Sequence, residues 1–166
     1  VRIEVRERAY VQVLRAEDEW PLRRQQLQKL YLDAADASIA NEPRSAQAEV
    51  SYDSQDKAAS AHFDYVFAQD TELTGHMKLR LWAAAAEADD MDLFVLVQKL
   101  DAHGTPLAAF TTANQNARVH DLTDHGATIL RYKGSAGRLR VSARHLDEHL
   151  STDDVPAHTF ARVEKL

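Results

Sequence analysis

The sequence predicts an all-β protein, built as a β-sandwich of a single domain. Apolar and polar residues alternate with a period of two in several separate stretches, which is the pattern of half-buried strands. Turn-forming residues divide the chain into many short segments of this kind, as they do in sandwiches. The length of 166 residues, with 45% hydrophobic and 28% charged residues, is that of one ordinary globular domain.

The first half of the chain supplies two strand candidates. Val1–Arg6 alternates strictly, so its apolar residues should face a core and its charged residues the solvent. Asp18–Pro21 interrupts this pattern as a loop, and residues 28–32 form a second, short candidate. Residues 33–62 are polar and predict irregular structure, with a turn at Asn41–Pro43.

The second half carries the stronger β signal. Alternation over His76–Trp82 predicts a half-buried strand, and the wholly apolar Leu93–Val97 predicts a central strand covered on both faces. Asp101–Gly104 has the composition of a hairpin turn. Arg138–Ala143 alternates again, and residues 145–166 predict an extended loop.

Charge and composition exclude several classes of function. The chain has 20 basic and 26 acidic residues, a net charge of −6, so it lacks the basic surface that nucleic acids and anionic membranes require. No apolar stretch approaches the roughly 20 residues of a transmembrane helix. Because Cys is absent, disulfides, thiolate chemistry and Cys-type zinc sites are excluded, and the cytoplasm is the favoured location.

No motif of nucleophilic catalysis or nucleotide binding occurs in the sequence. The chain lacks the G-x-S-x-G elbow of serine hydrolases, the G-x-G-x-x-G fingerprint and the phosphate-binding P-loop. Gly134–Gly137 contains a serine between glycines, but its spacing is that of a turn. The sequence therefore predicts neither a catalytic residue nor a cofactor in this chain.

One of two histidine clusters raises the alternative of a zinc hydrolase. His145–His149 reads H-x-x-E-H, which on a helix would place both histidines on one face with Glu148 as general base. A motif of three fixed letters matches often by chance, and Pro156 follows closely, so a solvated loop is the preferred interpretation. The second cluster, His120–Asp121 with Asp124–His125, predicts hydrogen-bonded surface pairs rather than metal ligands.

The acidic stretch Asp89–Asp92 offers the alternative of calcium binding, because calcium prefers several carboxylate oxygens. Its spacing is not that of an EF-hand loop, and no glycine supplies the sharp turn. We prefer the interpretation that it is the charged start of a strand, where it discourages aggregation through the sheet edge.

Two tryptophans are the candidates for stacking on a ligand. A tryptophan beside a cleft can stack on a sugar or line an acyl pocket, although packing is its commoner role in a sandwich. Trp82 ends a predicted strand and is expected to pack, whereas Trp20 lies in a loop and remains a site candidate.

Short motifs follow one another in order along nearly the whole chain. They are Val1–Val5, Asp18–Pro21, Leu73–Trp82, Asp89–Val97, Leu100–Gly104, Gly137–Arg144, His145–Thr152 and Pro156–Thr159. Among them, Leu73–Trp82 ends in L-R-L-W, Asp89–Val97 contains D-x-D and Gly137–Arg144 reads G-x-L-R-x-S-x-R. The ordered series resembles the C-terminal non-catalytic domain of X-Pro dipeptidyl-peptidases and cocaine-esterase-like serine hydrolases.

The resemblance implies a jelly-roll β-sandwich, similar in fold to galactose-binding domains. Residues 1–166 would then be a single C-terminal domain cut at both ends, with its last strands missing, and an α/β-hydrolase domain with a Ser-Asp-His triad would lie upstream. The loops at 18–21 and 145–158 would lie at the domain interface and help shape the substrate mouth. The interface candidates are Trp20, Arg144, His145 and His158.

The resemblance also indicates which partners to expect. The partner would be the upstream hydrolase domain of the same parent chain, which would cleave peptide or ester bonds. Nucleic acid and membrane are not expected, and formation of a homo-oligomer stays open. No catalytic residue, cofactor or metal site carries over, because the triad would lie upstream. The alternative is a free-standing β-sandwich that binds a carbohydrate or another ligand through Trp20 or Trp82.

Overall fold

The computed structural model describes residues 1–8, 11–107, 109–112, 129–132, 134–152 and 155–161. Within these residues the chain forms ten β-strands, one short 3₁₀ helix and no α-helix, which confirms the all-β prediction. The strands are β1 (Arg2–Arg8), β2 (Val11–Ala16), β3 (Tyr31–Asp33), β4 (Ser38–Ala40), β5 (Asp92–Val97), β6 (Ala109–Thr112), β7 (Ile129–Tyr132), β8 (Ser135–Arg140), β9 (His145–Leu146) and β10 (His158–Thr159). Over the same residues, no helix has the length and apolar character needed to cross a membrane.

The strands pair two by two into antiparallel ladders, which are β1–β2, β3–β4, β5–β8, β6–β7 and β9–β10. The β6–β7 pair is nested in sequence between β5 and β8. The chain divides into two compact units, one formed by Val1–Pro21 with His76–Leu166 and the other by Leu22–Gly75. These strand pairs do not establish the jelly-roll winding, which stays a prediction.

The β1–β2 hairpin has the predicted alternation over residues 3–6, whereas Val1, which was expected to face a core, is 61% exposed. Ile3 and Val5 are half-buried, whereas Glu4 and Arg6 are exposed. In the ladder Val5 lies opposite Val13, whereas Ile3 lies opposite Arg15 and Leu14 lies opposite Glu4, so the apolar residues of β2 are not confined to one face. On the other face the Arg6 guanidinium and the Glu4 carboxylate form an ion pair at 2.8 Å, and this hydrogen-bonded contact lowers the pKa of Glu4.

The β5–β8 ladder joins two distant parts of the chain. Leu93 lies opposite Leu139, and both are half-buried, so the strand predicted at Leu93–Val97 is confirmed. Burial on both faces is wrong, however, because Phe94 is 77% exposed. Phe94 lies opposite the exposed Arg138, which supplies no apolar cover on that face.

Just before β8, the backbone at Gly134 passes very close to the backbone at the end of β5. Gly134 has a φ of 143°, a conformation that residues with side chains rarely adopt. A Cβ atom at this position would collide with the carbonyl oxygen of Val97 at the end of β5. By contrast, a Cβ atom on Gly137 within β8 would meet open space.

The unit of residues 22–75 contains the β3–β4 hairpin. Ala37 closes the turn of this hairpin with a φ of 58°, in the left-handed region that favours glycine. Asp33 is only 6% exposed, and its Oδ1 accepts a hydrogen bond of 2.9 Å from the Ala35 N–H. Its buried Oδ2 faces the guanidinium of Arg44, which also binds Asp36 at 2.6 Å. One exposed cation therefore neutralises a buried carboxylate.

The segment His76–Trp82 differs most from its prediction, because the structure forms no strand there. Leu79 and Leu81 are 48% and 41% exposed, and Trp82 is fully exposed, so the expected packing of Trp82 is also wrong. Alternation reports which side chains would share a face. A strand additionally needs a neighbour for its backbone groups. In the described part of the chain, residues 76–82 take part in no ladder.

Three further differences concern very short strands. β3 begins at Tyr31 rather than at residue 28, β4 lies inside the region predicted to be irregular, and β9 and β10 lie inside the predicted loop at 145–166. Strands of two or three residues are too short for a period of two to be visible. The turn at Asp101–Gly104 is confirmed, since the Gly104 N–H donates to the Asp101 carbonyl at 3.0 Å.

Candidate domain-interface site

Three of the four interface candidates lie together in one loop, which we name the 144–161 loop and of which residues 144–152 and 155–161 are described. Its two short strands, β9 and β10, place His158 opposite Leu146 and Thr159 opposite His145. The His145 Nδ1 lies 2.8 Å from the Thr159 hydroxyl oxygen. His145 and His158 are therefore carried by the same two-stranded ladder, and both are exposed.

Hydrogen bonds fix the backbone of the described residues of the 144–161 loop. The Asp147 Oδ1 accepts bonds from the His149 and Leu150 N–H groups, at 2.9 and 3.1 Å, which closes the turn after β9. The Asp147 N–H donates to the Ala157 carbonyl at 3.0 Å. The Ser151 hydroxyl oxygen accepts from the Ala157 N–H at 2.9 Å. These bonds give the described residues of the loop a defined backbone from which the exposed side chains project.

Arg144 lies at the base of this loop, directly before β9. One of its terminal nitrogens donates to the carbonyl of Val141 at 3.2 Å and lies 3.4 Å from the carbonyl of Ala161. The guanidinium thus contacts both chain segments that meet at the base of the loop. The side chain as a whole remains exposed.

The fourth candidate, Trp20, contacts His76, which lies outside the 144–161 loop. Its ring stands edge-on to the ring of His76, with 5.8 Å between the centroids. Trp20 is 42% exposed, and the peptide bond to Pro21 is cis. The sequence did not indicate the pairing with His76, because 56 positions separate the two residues along the chain.

The zinc alternative for His145–His149 is wrong, because the helix that it requires is absent. His145 lies in β9, whereas Glu148 and His149 lie in the turn that Asp147 closes. Within the described ranges, no group of three or more His, Cys, Asp or Glu residues could hold a metal ion. The second histidine cluster, at residues 120–125, lies outside the described residues.

The acidic stretch Asp89–Asp92 has a structural use that the sequence alone did not show. Asp92 lies opposite Arg140 in the β5–β8 ladder, and the two side chains share two hydrogen bonds of 2.8 Å each. These bonds lower the pKa of Asp92 and raise the pKa of Arg140. The preferred interpretation as a charged strand start is confirmed, since Asp92 is the first residue of β5.

Asp90 binds the chain segment that follows β8. Its Oδ2 accepts a hydrogen bond of 2.6 Å from the Ser142 hydroxyl, and its Oδ1 accepts one of 3.0 Å from the Ser142 N–H. The hydrogen bond from the Ser142 hydroxyl is the main cause of the lowered pKa of Asp90. Asp90 and Asp92 of the D-x-D stretch contact Ser142 and Arg140 of an R-x-S stretch. This correspondence can be recognised in the sequence only when the strand register is known.

Comparison with known proteins identifies the family. Residues 1–164 match the family described as the X-Pro dipeptidyl-peptidase C-terminal non-catalytic domain. A comparison with curated proteins gave no match. Two crystal structures of a CocE/NonD family hydrolase from Staphylococcus aureus are similar, each at 31% identity, with TM-scores of 0.78 and 0.79.

The aligned region covers 98% and 99% of this chain but only 27% and 28% of the two hydrolase chains. This chain therefore spans about a quarter of the length of these relatives, and the similarity extends over almost all of its own residues. Together with the match over residues 1–164, this shows that the chain belongs to the family of X-Pro dipeptidyl-peptidase C-terminal non-catalytic domains.

Proposed function

We propose that residues 1–166 form one accessory domain at the C-terminal end of a serine hydrolase. The observation that carries the proposal is the family match over residues 1–164, together with the CocE/NonD hydrolases that extend far beyond the matched region. In this proposal an α/β-hydrolase domain lies upstream in the same polypeptide. That domain hydrolyses peptide or ester bonds.

The chemistry belongs to the upstream domain. A serine of a Ser-Asp-His triad attacks the carbonyl carbon, histidine takes and returns the proton, and backbone N–H groups bind the oxyanion. The accessory domain contributes a surface instead of a reacting group. It packs on the hydrolase domain and forms part of the wall of the substrate mouth.

The 144–161 loop and the Trp20 loop are the proposed contact regions. Arg144, His145 and His158 are exposed on a loop whose backbone is fixed by internal hydrogen bonds, so they reach a partner without ordering the chain again. Trp20 is partly exposed and held by His76. Tryptophan and arginine are also the residue types most enriched at the energetic centres of protein interfaces.

The intact mass of the natural polypeptide, with and without a fluorophosphonate probe, tests this proposal. We expect a chain several times heavier than 18.7 kDa that gains one probe adduct. The isolated 166-residue chain should hydrolyse neither p-nitrophenyl acetate nor a dipeptide anilide with proline in second position. A natural chain of about the present mass without an adduct would refute the proposal, and so would substantial turnover by the isolated chain.

A second candidate function is carbohydrate binding by a free-standing module, and the exposure of Trp82 favours it. The Trp82 indole is fully exposed, and Trp20 is 42% exposed, so either ring is accessible for stacking on a sugar. This function predicts that a sugar quenches tryptophan fluorescence, and that Trp82→Ala removes most of the quenching. No change in fluorescence across a broad panel of glycans would rule it out.

A further inference from the structure

Both ends of the 144–161 loop meet at Ser142. The loop begins two residues after Ser142, and at its other end the Ala161 N–H donates to the Ser142 carbonyl at 2.7 Å. The Arg144 guanidinium strengthens the same junction, because it contacts the carbonyl groups of Val141 and Ala161. The position of Ser142 therefore sets the position of the base of the loop.

Ser142 is in turn held by Asp90, which lies 52 residues earlier in the chain. The Ser142 hydroxyl and N–H donate to the two carboxylate oxygens of Asp90 at 2.6 and 3.0 Å. The N–H of Met91 also donates to Asp90 Oδ1 at 2.9 Å, which orients the carboxylate. The Val141 N–H donates to the Met91 carbonyl at 2.9 Å, so the two segments are joined by backbone and side chain together.

We propose that Asp90 is a positioning residue for the domain interface. Through Ser142 it fixes the base of the 144–161 loop, and thereby the places of the candidates Arg144, His145 and His158. The consequence for catalysis rests on the proposed function, whereas the control of the loop by Asp90 does not. Asp90 touches no reacting group and acts only through the loop.

The neighbouring Asp92 provides a matched control. It has the same side chain and lies two positions away, but its hydrogen bonds go to Arg140 within β8. Asp92→Asn therefore removes one carboxylate charge and weakens the ladder without removing a bond to Ser142. Asp90→Asn removes the same charge and replaces the charged acceptor of both Ser142 donors with a neutral amide group, which weakens the contact to Ser142.

Ser142 allows a second matched pair of variants. Threonine and valine have nearly the same shape and the same branching at Cβ, but only threonine carries a hydroxyl group. Ser142→Thr should therefore keep the bond to the Asp90 Oδ2, and Ser142→Val should lose it. Any difference between these two variants reports the hydroxyl bond rather than the size of the side chain.

Amide hydrogen exchange of the natural full-length chain measures how firmly the base of the 144–161 loop is held. We expect Ser142→Val to speed exchange of the Asp147 and Ala161 amides about tenfold, as expected for one lost hydrogen bond to a charged acceptor, and Asp90→Asn to speed it by a smaller factor. Ser142→Thr and Asp92→Asn should leave these rates near wild type. Unchanged rates in Ser142→Val would overturn the proposal, as would an equal rise in Ser142→Thr or an equal rise over the β1–β2 hairpin.

Kinetics of the natural full-length chain test the link to the interface. With p-nitrophenyl acetate or a dipeptide anilide as substrate, we expect Ser142→Val to raise KM several-fold and to leave kcat within about twofold, with wild-type values restored in Ser142→Thr. A loosened loop with unchanged KM would overturn the positioning role. A natural chain without hydrolase activity would refute the proposed function instead, and the exchange experiment would still decide whether Asp90 holds the loop.

Discussion

Replacing Ala37 with glycine should stabilise the protein, because Ala37 has a left-handed backbone conformation with a φ of 58°. For a residue with a side chain, this conformation costs about 1–2 kcal/mol relative to the right-handed one. Glycine avoids this cost, but its greater freedom in the unfolded chain lowers the free energy of unfolding by about 0.5–1 kcal/mol. The expected net gain in the free energy of unfolding is about 0.5–1 kcal/mol.

Urea unfolding followed by circular dichroism measures this difference, and thermal unfolding should show a rise in Tm of about 1–4 °C. Ala35→Gly is the matched control, because Ala35 lies in the same turn and only Ala37 has a positive φ among the described non-glycine residues. Glycine at position 35 keeps the N–H that donates to Asp33. The control variant should lose about 0.5–1 kcal/mol through unfolded-chain entropy alone.

The sign of the difference in stability between Ala37→Gly and Ala35→Gly shows whether the left-handed conformation of residue 37 is costly. If Ala37→Gly loses as much stability as Ala35→Gly, the left-handed conformation carries no cost in this turn, and the reasoning from φ is refuted. Ala37→Val adds a check in the opposite direction. A β-branched residue is especially disfavoured in this conformation, so this variant should be less stable than wild type.

Three further changes have outcomes that follow from contacts in the structure. Gly134→Ala should lower the free energy of unfolding by more than about 1 kcal/mol because its Cβ collides with β5, whereas Gly137→Ala should stay within about 0.5 kcal/mol; urea unfolding compares them. Arg44→Met should cost about 1–2 kcal/mol because it leaves a buried carboxylate unpaired, and adding Asp33→Asn should restore part of the loss in a double-mutant cycle. Hydrogen bonds from the opposing guanidinium lower the pKa of Asp92, so its stabilising effect is complete above its ordinary pKa and disappears as the pH falls through the lowered one. Asp92→Asn should therefore flatten the dependence of Tm on pH below about pH 4, and an unchanged slope would contradict this role.

The parts of the fold that the sequence predicted are those set by local patterns. The alternation of Ile3 and Val5 with charged residues needs only a half-buried face, and the structure has that face. The turn at Asp101–Gly104 depends on residues that bond to their own neighbours, and it forms as predicted. The all-β class follows from many such local patterns together.

The parts that were missed depend on distant partners. His76–Trp82 has the pattern of a strand, but the pattern says nothing about which strand would pair with it. The bonds from Asp90 to Ser142 and from Asp92 to Arg140 depend on a register between segments 52 and 48 residues apart, which a single sequence does not reveal. Ala37 has a left-handed backbone conformation that a glycine usually marks in a sequence, so the alanine at this position gave no sign of the turn.

Of the candidate site, the sequence predicted the residues and the loop at 145–158, but not the strand pairing within that loop. Arg144, His145 and His158 share one loop because β9 pairs with β10, and a two-residue strand leaves no periodic signal. Trp20 is held by His76 through a ring contact that no local pattern encodes. The family resemblance supplied the location of the loop, and the structure supplied the bonds that give the loop its shape.

The nesting of β6–β7 between β5 and β8 has a consequence for the order in which the chain folds. Closing the outer ladder first would require a long segment to be confined at once, and each doubling of such a loop costs about 0.6 kcal/mol of entropy. When the inner pair β6–β7 forms first, it brings the ends of β5 and β8 closer together, and the remaining loop is short. The outer ladder then closes at a lower entropic barrier, so mutations that weaken the inner pair should slow folding more than they speed unfolding.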